Sequence, residues 1–67
     1  MNRFDYEPQL ELKTINTGKT VVAVNGIAKQ FRQWTNANKE VLRWRKQGYA
    51  VEIYQSPLSR SFFVAIV

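Results

Sequence analysis

The chain has no cysteine and no histidine. Without cysteine it can form no disulfide and offers no thiolate, so its redox compartment is not legible. Structural zinc sites rest overwhelmingly on these two residue types, which excludes a structural zinc. Acids are scarce too, five against ten Lys and Arg, for a net charge of +5. Asp5 and Glu7 are the one close pair, whereas a metal-dependent nuclease needs clustered carboxylates. No serine has a visible base to activate it. We therefore expect no enzyme, no metal and no cofactor. The longest apolar run, residues 62–67, falls far short of the roughly 20 residues that span a bilayer. The N-terminal eight residues are polar and mixed in charge, without the apolar core of a signal peptide. The expectation is a soluble, cytoplasmic protein with no membrane partner.

No Pro/Gly/Ser-rich linker and no long internal repeat interrupts the 67 residues, so they read as a single domain, 1–67, with 1–8 a loosely ordered segment. A domain this small buries only about 60% of the surface its unfolded chain exposes. With no disulfide or metal to assist, stability must come from a core that includes Trp34 and Trp44, or from self-association.

Residues 9–15 alternate Leu10, Leu12 and Thr14 against Glu11, Lys13 and Ile15, the period of a half-buried strand. Asn16-Thr17-Gly18 then supplies turn chemistry, and the β-branched stretch 19–24 completes a hairpin. Asn25 is placed to cap a helix over 27–47. Its apolar set, Ile27, Phe31, Trp34, Ala37, Val41 and Trp44, recurs at steps of three and four, with Leu42 widening the stripe. Gly48 follows three polar residues, two of them cationic, and suits the position just past a helix end. Thr35-Asn36-Ala37-Asn38 propagates helices poorly, yet the apolar phase survives across it, which favours one helix. Tyr49, Val51 and Ile53 then alternate with Ala50, Glu52 and Tyr54, Ser56-Pro57 opens a hairpin loop, and 61–67 is apolar on both faces, as a central strand is. The fold class expected is α+β in the order ββαββ, one long amphipathic helix across an antiparallel sheet of about four strands.

All of the net charge lies in residues 27–47, where Lys29, Arg32, Lys39, Arg43, Arg45 and Lys46 face one acid, Glu40. On one helix Lys29, Arg32, Asn36, Lys39, Arg43 and Lys46 form a single row opposite the apolar stripe. A solubilising face usually mixes signs to gain ion pairs, so a row of one sign points to an anionic partner. Arg45 falls inside the apolar arc instead, its stem packed and its head reaching past the helix end.

Phe31, Trp34 and Trp44 sit at core spacing. One helix cannot cover both faces of the sheet, which leaves Tyr54 with Phe62 or Phe63 as a dimer or base-stacking surface, unless Phe4 and Tyr6 cover it. Dimerisation or self-cover outranks stacking, because the cations lie on the helix side. Ser59 and Arg60, in a loop with two further hydroxyls, offer a secondary phosphate contact. Gly18-Lys19-Thr20 is no phosphate-binding loop, since its first glycine is missing and a strand comes after it.

Three functions remain. The first is a nucleic-acid-binding module, DNA or RNA, whose basic row makes phosphate contacts of low sequence specificity. The second is a small modulator or inhibitor docking the same face on an acidic protein surface. The third is a homodimeric structural module. Size, basicity and lack of cysteine match many small bacteriophage and mobile-element proteins, an analogy of composition alone.

Overall fold

The computed structural model describes residues 9–67; segment 1–8, with Phe4 and Tyr6, lies outside the described residues. The first hairpin forms where turn chemistry places it. Strands β1 (Leu12–Thr14) and β2 (Thr20–Val24) are antiparallel, with Lys13 opposite Val21. Gly18 turns the chain at a φ of 90°, a conformation that side chains with a Cβ resist, and donates its N–H to the Ile15 carbonyl at 2.8 Å.

The expected helix over 27–47 is corrected in its first third. Asn25 and Gly26 both adopt positive φ, 53° and 79°, the two-residue turn whose twist matches antiparallel strands. It joins β2 to a short strand β3 (Ile27–Ala28), with Val24 opposite Ile27. Asn25 is thus a hairpin residue, not a helix cap. The Glu11 carboxylate fastens the turn, accepting the N–H of Asn25 at 2.9 Å and of Gly26 at 2.6 Å. Past β3 the chain keeps pairing. Lys29 donates its N–H to the Val22 carbonyl at 3.0 Å, and Phe31 exchanges two backbone bonds with Phe62 at 2.9 and 2.8 Å. The helical spacing of Ile27 and Phe31 is therefore coincidental: strand pairing satisfies the backbone there, and Ile27 is 70% exposed.

Helix α1 runs Trp34–Lys46, 13 residues, or about 20 Å. Thr35 and Asn36 fall in its first turn, which explains why these poor propagators do not break it. Ala37, Glu40, Val41 and Trp44 make the buried face. Trp34 and Leu42, assigned by spacing to the apolar stripe, are instead 52% and 51% exposed. Without the turn expected before it, Trp34 lies half exposed at the helix start. The C-terminus agrees with expectation. Gly48, at φ 98°, donates to the Arg45 carbonyl, and Tyr49 donates to that of Trp44, a paired closure of the last turn. The Trp44 and Tyr49 rings meet edge to face at 5.4 Å and seal that end.

Strands β4 (Val51–Gln55) and β5 (Phe62–Ile66) form the second hairpin around Ser56-Pro57. The antiparallel order is β1-β2-β5-β4, with β3 paired to β2. This is an α+β fold with a single helix on a sheet, and β5 is central as its two apolar faces require. Side chains alternate across the sheet. Val22, Val51 and Val64 meet Val41 and Trp44 of the helix, while Val21, Phe63 and Ala65 cluster on the other face. Among the described residues no helix is long and apolar enough to cross a membrane.

Candidate nucleic-acid interface

The late helix start divides the expected cationic row. Asn36, Lys39, Arg43 and Lys46 lie on α1, whereas Lys29 and Arg32 belong to the extended segment before it. Six residues no longer make one line; two groups replace it.

Glu40 explains the first group. It sits 8% exposed on the buried helix face, where the Trp44 indole N–H donates to Oε2 at 2.9 Å. Lys29 Nζ donates to the same oxygen at 3.2 Å, and an Arg43 guanidinium nitrogen donates to Oε1 at 2.8 Å. Burial pushes this carboxyl up, but the Trp44 and Lys29 hydrogen bonds and the charges of Lys29 and Arg43 outweigh it, holding the pKa below its ordinary value. Lys29 is therefore occupied within the fold and also lies 5.5 Å from the Phe31 ring centre. Arg43 spends one donor on Glu40 and lies 5.6 Å from the Trp44 ring. Spacing could have flagged part of this cluster, because Glu40–Arg43 and Glu40–Trp44 are three and four residues apart. Lys29 was not findable that way, since it comes from outside the helix.

What remains on the outward face is cationic. Lys39 and Lys46 are exposed and have no ion-pair partner among the described residues. With Arg43 and Arg45 they line a shallow depression around Leu42. Helical spacing sets Arg45 in the apolar arc. Its Nε in fact donates to the Val51 carbonyl at 3.0 Å, and the residue is exposed. The Ala50 carbonyl accepts from Val67, so the backbone groups of Val51 face the other way, along the free edge of β4. Arg45 thus covers a strand edge as well as lining the basic face.

The second group is not one that spacing along the chain brings together. Pairing of Phe31 with Phe62 carries Arg32 beside the β4–β5 loop, so that Gln30, Phe31, Arg32, Ser59, Arg60 and Ser61 line one depression. The secondary contact expected of Ser59 and Arg60 therefore joins Arg32 from the primary row. Arg60 holds a φ of 62°, unusual for a residue with a Cβ, and closes the loop by donating its N–H to the Ser56 carbonyl at 2.8 Å. Ser61 Oγ lies 3.2 Å from Gln30 Oε1 and ties loop to segment.

The third expected surface is divided by strand alternation. Tyr54 and Phe63 are register partners on the face away from the helix. Phe63 is only 4% exposed, and the Tyr54 hydroxyl donates to Thr17 Oγ1 at 3.1 Å with Lys19 Nζ 5.5 Å from its ring. Phe62, one residue along, points to the other side, where Phe31 pairs with it. Compared with protein-family models, curated proteins and solved structures, the chain matches none at a significant level.

Proposed function

We propose that this protein is a small non-catalytic nucleic-acid-binding module that meets the phosphate backbone with the outward face of α1. One observation carries the reading: Glu40, the single acid of the helix, is turned inward, where it takes one donor of Arg43, so Lys39, Arg45, Lys46 and the rest of the Arg43 head face outward with no exposed acid of the helix among them. The Arg32–Arg60 depression extends the positive field beyond the N-terminal end of the helix. Such contacts position a backbone without reading sequence, so specificity is low. Compared with an unbroken row, Lys29 is withdrawn and Arg43 is partly spent. Engaging about four phosphates gives log affinity a slope against log salt of about −3 to −4.

An oligonucleotide titration at low and moderate salt tests this. The wild type binds at low salt with that slope. Lys39→Ala/Lys46→Ala flattens it by about 1.5, in proportion to two lost phosphate contacts. No binding at low salt, or an unaltered slope in the double variant, removes the reading.

A second reading, docking on an acidic protein surface, is favoured by Leu42, an apolar contact point enclosed by four cations. It uses the same face and differs in needing Leu42. A Leu42→Asp variant that keeps its oligonucleotide affinity, while losing a co-purifying protein retained after nuclease treatment, would support docking instead.

A further inference from the structure

We infer that the nucleic acid bound by the α1 face is single-stranded, with Trp34 as the platform on which an unpaired base stacks. This rests on the phosphate-binding reading above and names its substrate class. Trp34 is one of two tryptophans, and the two have opposite fates. Trp44 is 6% exposed and gives its indole N–H to Glu40, whereas Trp34 is 52% exposed at the first position of the helix. An exposed tryptophan is ordinarily costly to leave in water, and here it begins the helix that carries Lys39, Arg43, Arg45 and Lys46.

The placement is specific. At 100° per residue, Trp34, Asn38, Leu42 and Arg45 fall within about 80° of one another, and Lys39 and Lys46 lie within about 60° of Leu42. The face therefore combines two exposed apolar side chains with Arg45 between them and Lys39 and Lys46 beyond Leu42 on one side. Trp34 also comes two residues after Arg32, which lines a depression with Ser59, Arg60 and Ser61. A strand running along the helix would place a base on Trp34 and another against Leu42, about 12 Å further along the axis. Its phosphates would meet Lys39 and Lys46, and Arg32 with Arg60 at the other end.

Duplex is the poorer fit. Base faces inside a duplex are stacked on each other, so an indole ring gains nothing from them. Its single N–H also makes no paired contact to a base edge. Stacking on aromatic side chains beside a basic track is instead how sequence-tolerant single-strand binders work. The aromatic face around Tyr54 and Phe63 lies across the sheet from the helix. Trp34 is instead on the helix, two residues after Arg32 and on the arc that holds Leu42 and Arg45.

The test compares a single strand of about 15 nucleotides with its duplex, by anisotropy of a labelled oligonucleotide at one ionic strength. The single strand binds more tightly and quenches tryptophan emission, a signal that Trp34→Phe removes by leaving only buried Trp44. Trp34→Ala lowers single-strand affinity about ten-fold or more and leaves duplex affinity unchanged, while Trp34→Phe retains most of it. Circular dichroism checks that the variants are folded, as an exposed site predicts. Equal binding of single strand and duplex, with Trp34→Ala altering neither, overturns the stacking inference and leaves the phosphate reading standing. If neither oligonucleotide binds at low salt, both fall together. Trp34→Ala that leaves oligonucleotide affinity intact but loses a co-purifying protein also overturns it, and assigns Trp34 to a protein contact.

Discussion

Glu40 shows how much one residue can change the meaning of its neighbours. Its carboxylate takes hydrogen bonds from Trp44, Lys29 and Arg43, and so ties down one half-buried cation and part of another. Because its pKa is depressed in the folded state, the stabilisation is complete above the ordinary glutamate value and is lost as pH falls through the folded value. A melting temperature tracked from about pH 6 to about pH 3 should fall more steeply for the wild type than for Glu40→Gln, which has no charge to lose. Glu40→Gln also releases Arg43 and Lys29 from ion pairing, so its salt slope with oligonucleotide should steepen by up to about 1. Parallel pH profiles for the two proteins would mean that the carboxylate charge contributes nothing. Glu40→Ala is harsher, since it strands the buried Trp44 N–H at a cost of about 1–3 kcal/mol.

At the scale of elements, the two ends of α1 differ in how well they are closed. The C-terminal end has Gly48 in the left-handed region, two backbone bonds and the Trp44–Tyr49 contact. At the N-terminal end Gln33 has the extended backbone of a cap, φ −113° and ψ 137°, but its side chain accepts no N–H, and the first turn contains no acid. Gln33→Ser keeps the charge of the binding face and supplies that acceptor. It should stabilise the fold by about 1 kcal/mol, read as a higher urea midpoint with an unaltered slope. An unaltered midpoint would mean that water already satisfies the first turn fully. Asn25-Gly26 is the other instructive element. The same pair suits a helix start or a hairpin turn, and the hydrogen-bond partners within reach of the chain decide between them. Here Glu11 and Val22 offer partners to the extended backbone, so the hairpin wins.

For the whole molecule, the sheet has two edges, and they are protected differently. Edge strand β1 is only three residues long, with the charge of Lys13 at its centre and that of Glu11 just before it. Edge strand β4 is longer, and Arg45 occupies its Val51 carbonyl. Central β5 has both edges paired, so strand addition between two copies has β4 as its open route. Arg45→Ala uncovers that edge. Sedimentation at two concentrations should show more association for the variant than for the wild type, and identical profiles would mean that Arg45 does not guard it. Arg45 is shared between the strand edge and the cationic face, so the variant also removes a cation from that face.

The sequence by itself determined the α+β class, the two outer hairpins, the central strand, the closed helix end at Gly48 and the excess of positive charge. Those features depend on residues close together in the chain, where alternation, turn chemistry and composition act directly. Only the tertiary structure decided where the helix begins, because Ile27 and Phe31 have helical spacing yet find strand partners in Val24 and Phe62. It also decided which cations are free. Lys29 is bound by an acid 11 residues away, and the Phe31–Phe62 pairing sets Arg32 and Arg60 around one depression. Long-range partners set those outcomes, and periodicity along the chain has no means of expressing them. The exposure of Trp34 has the same cause: the preceding residues are drawn into the sheet, which leaves it half exposed at the helix start.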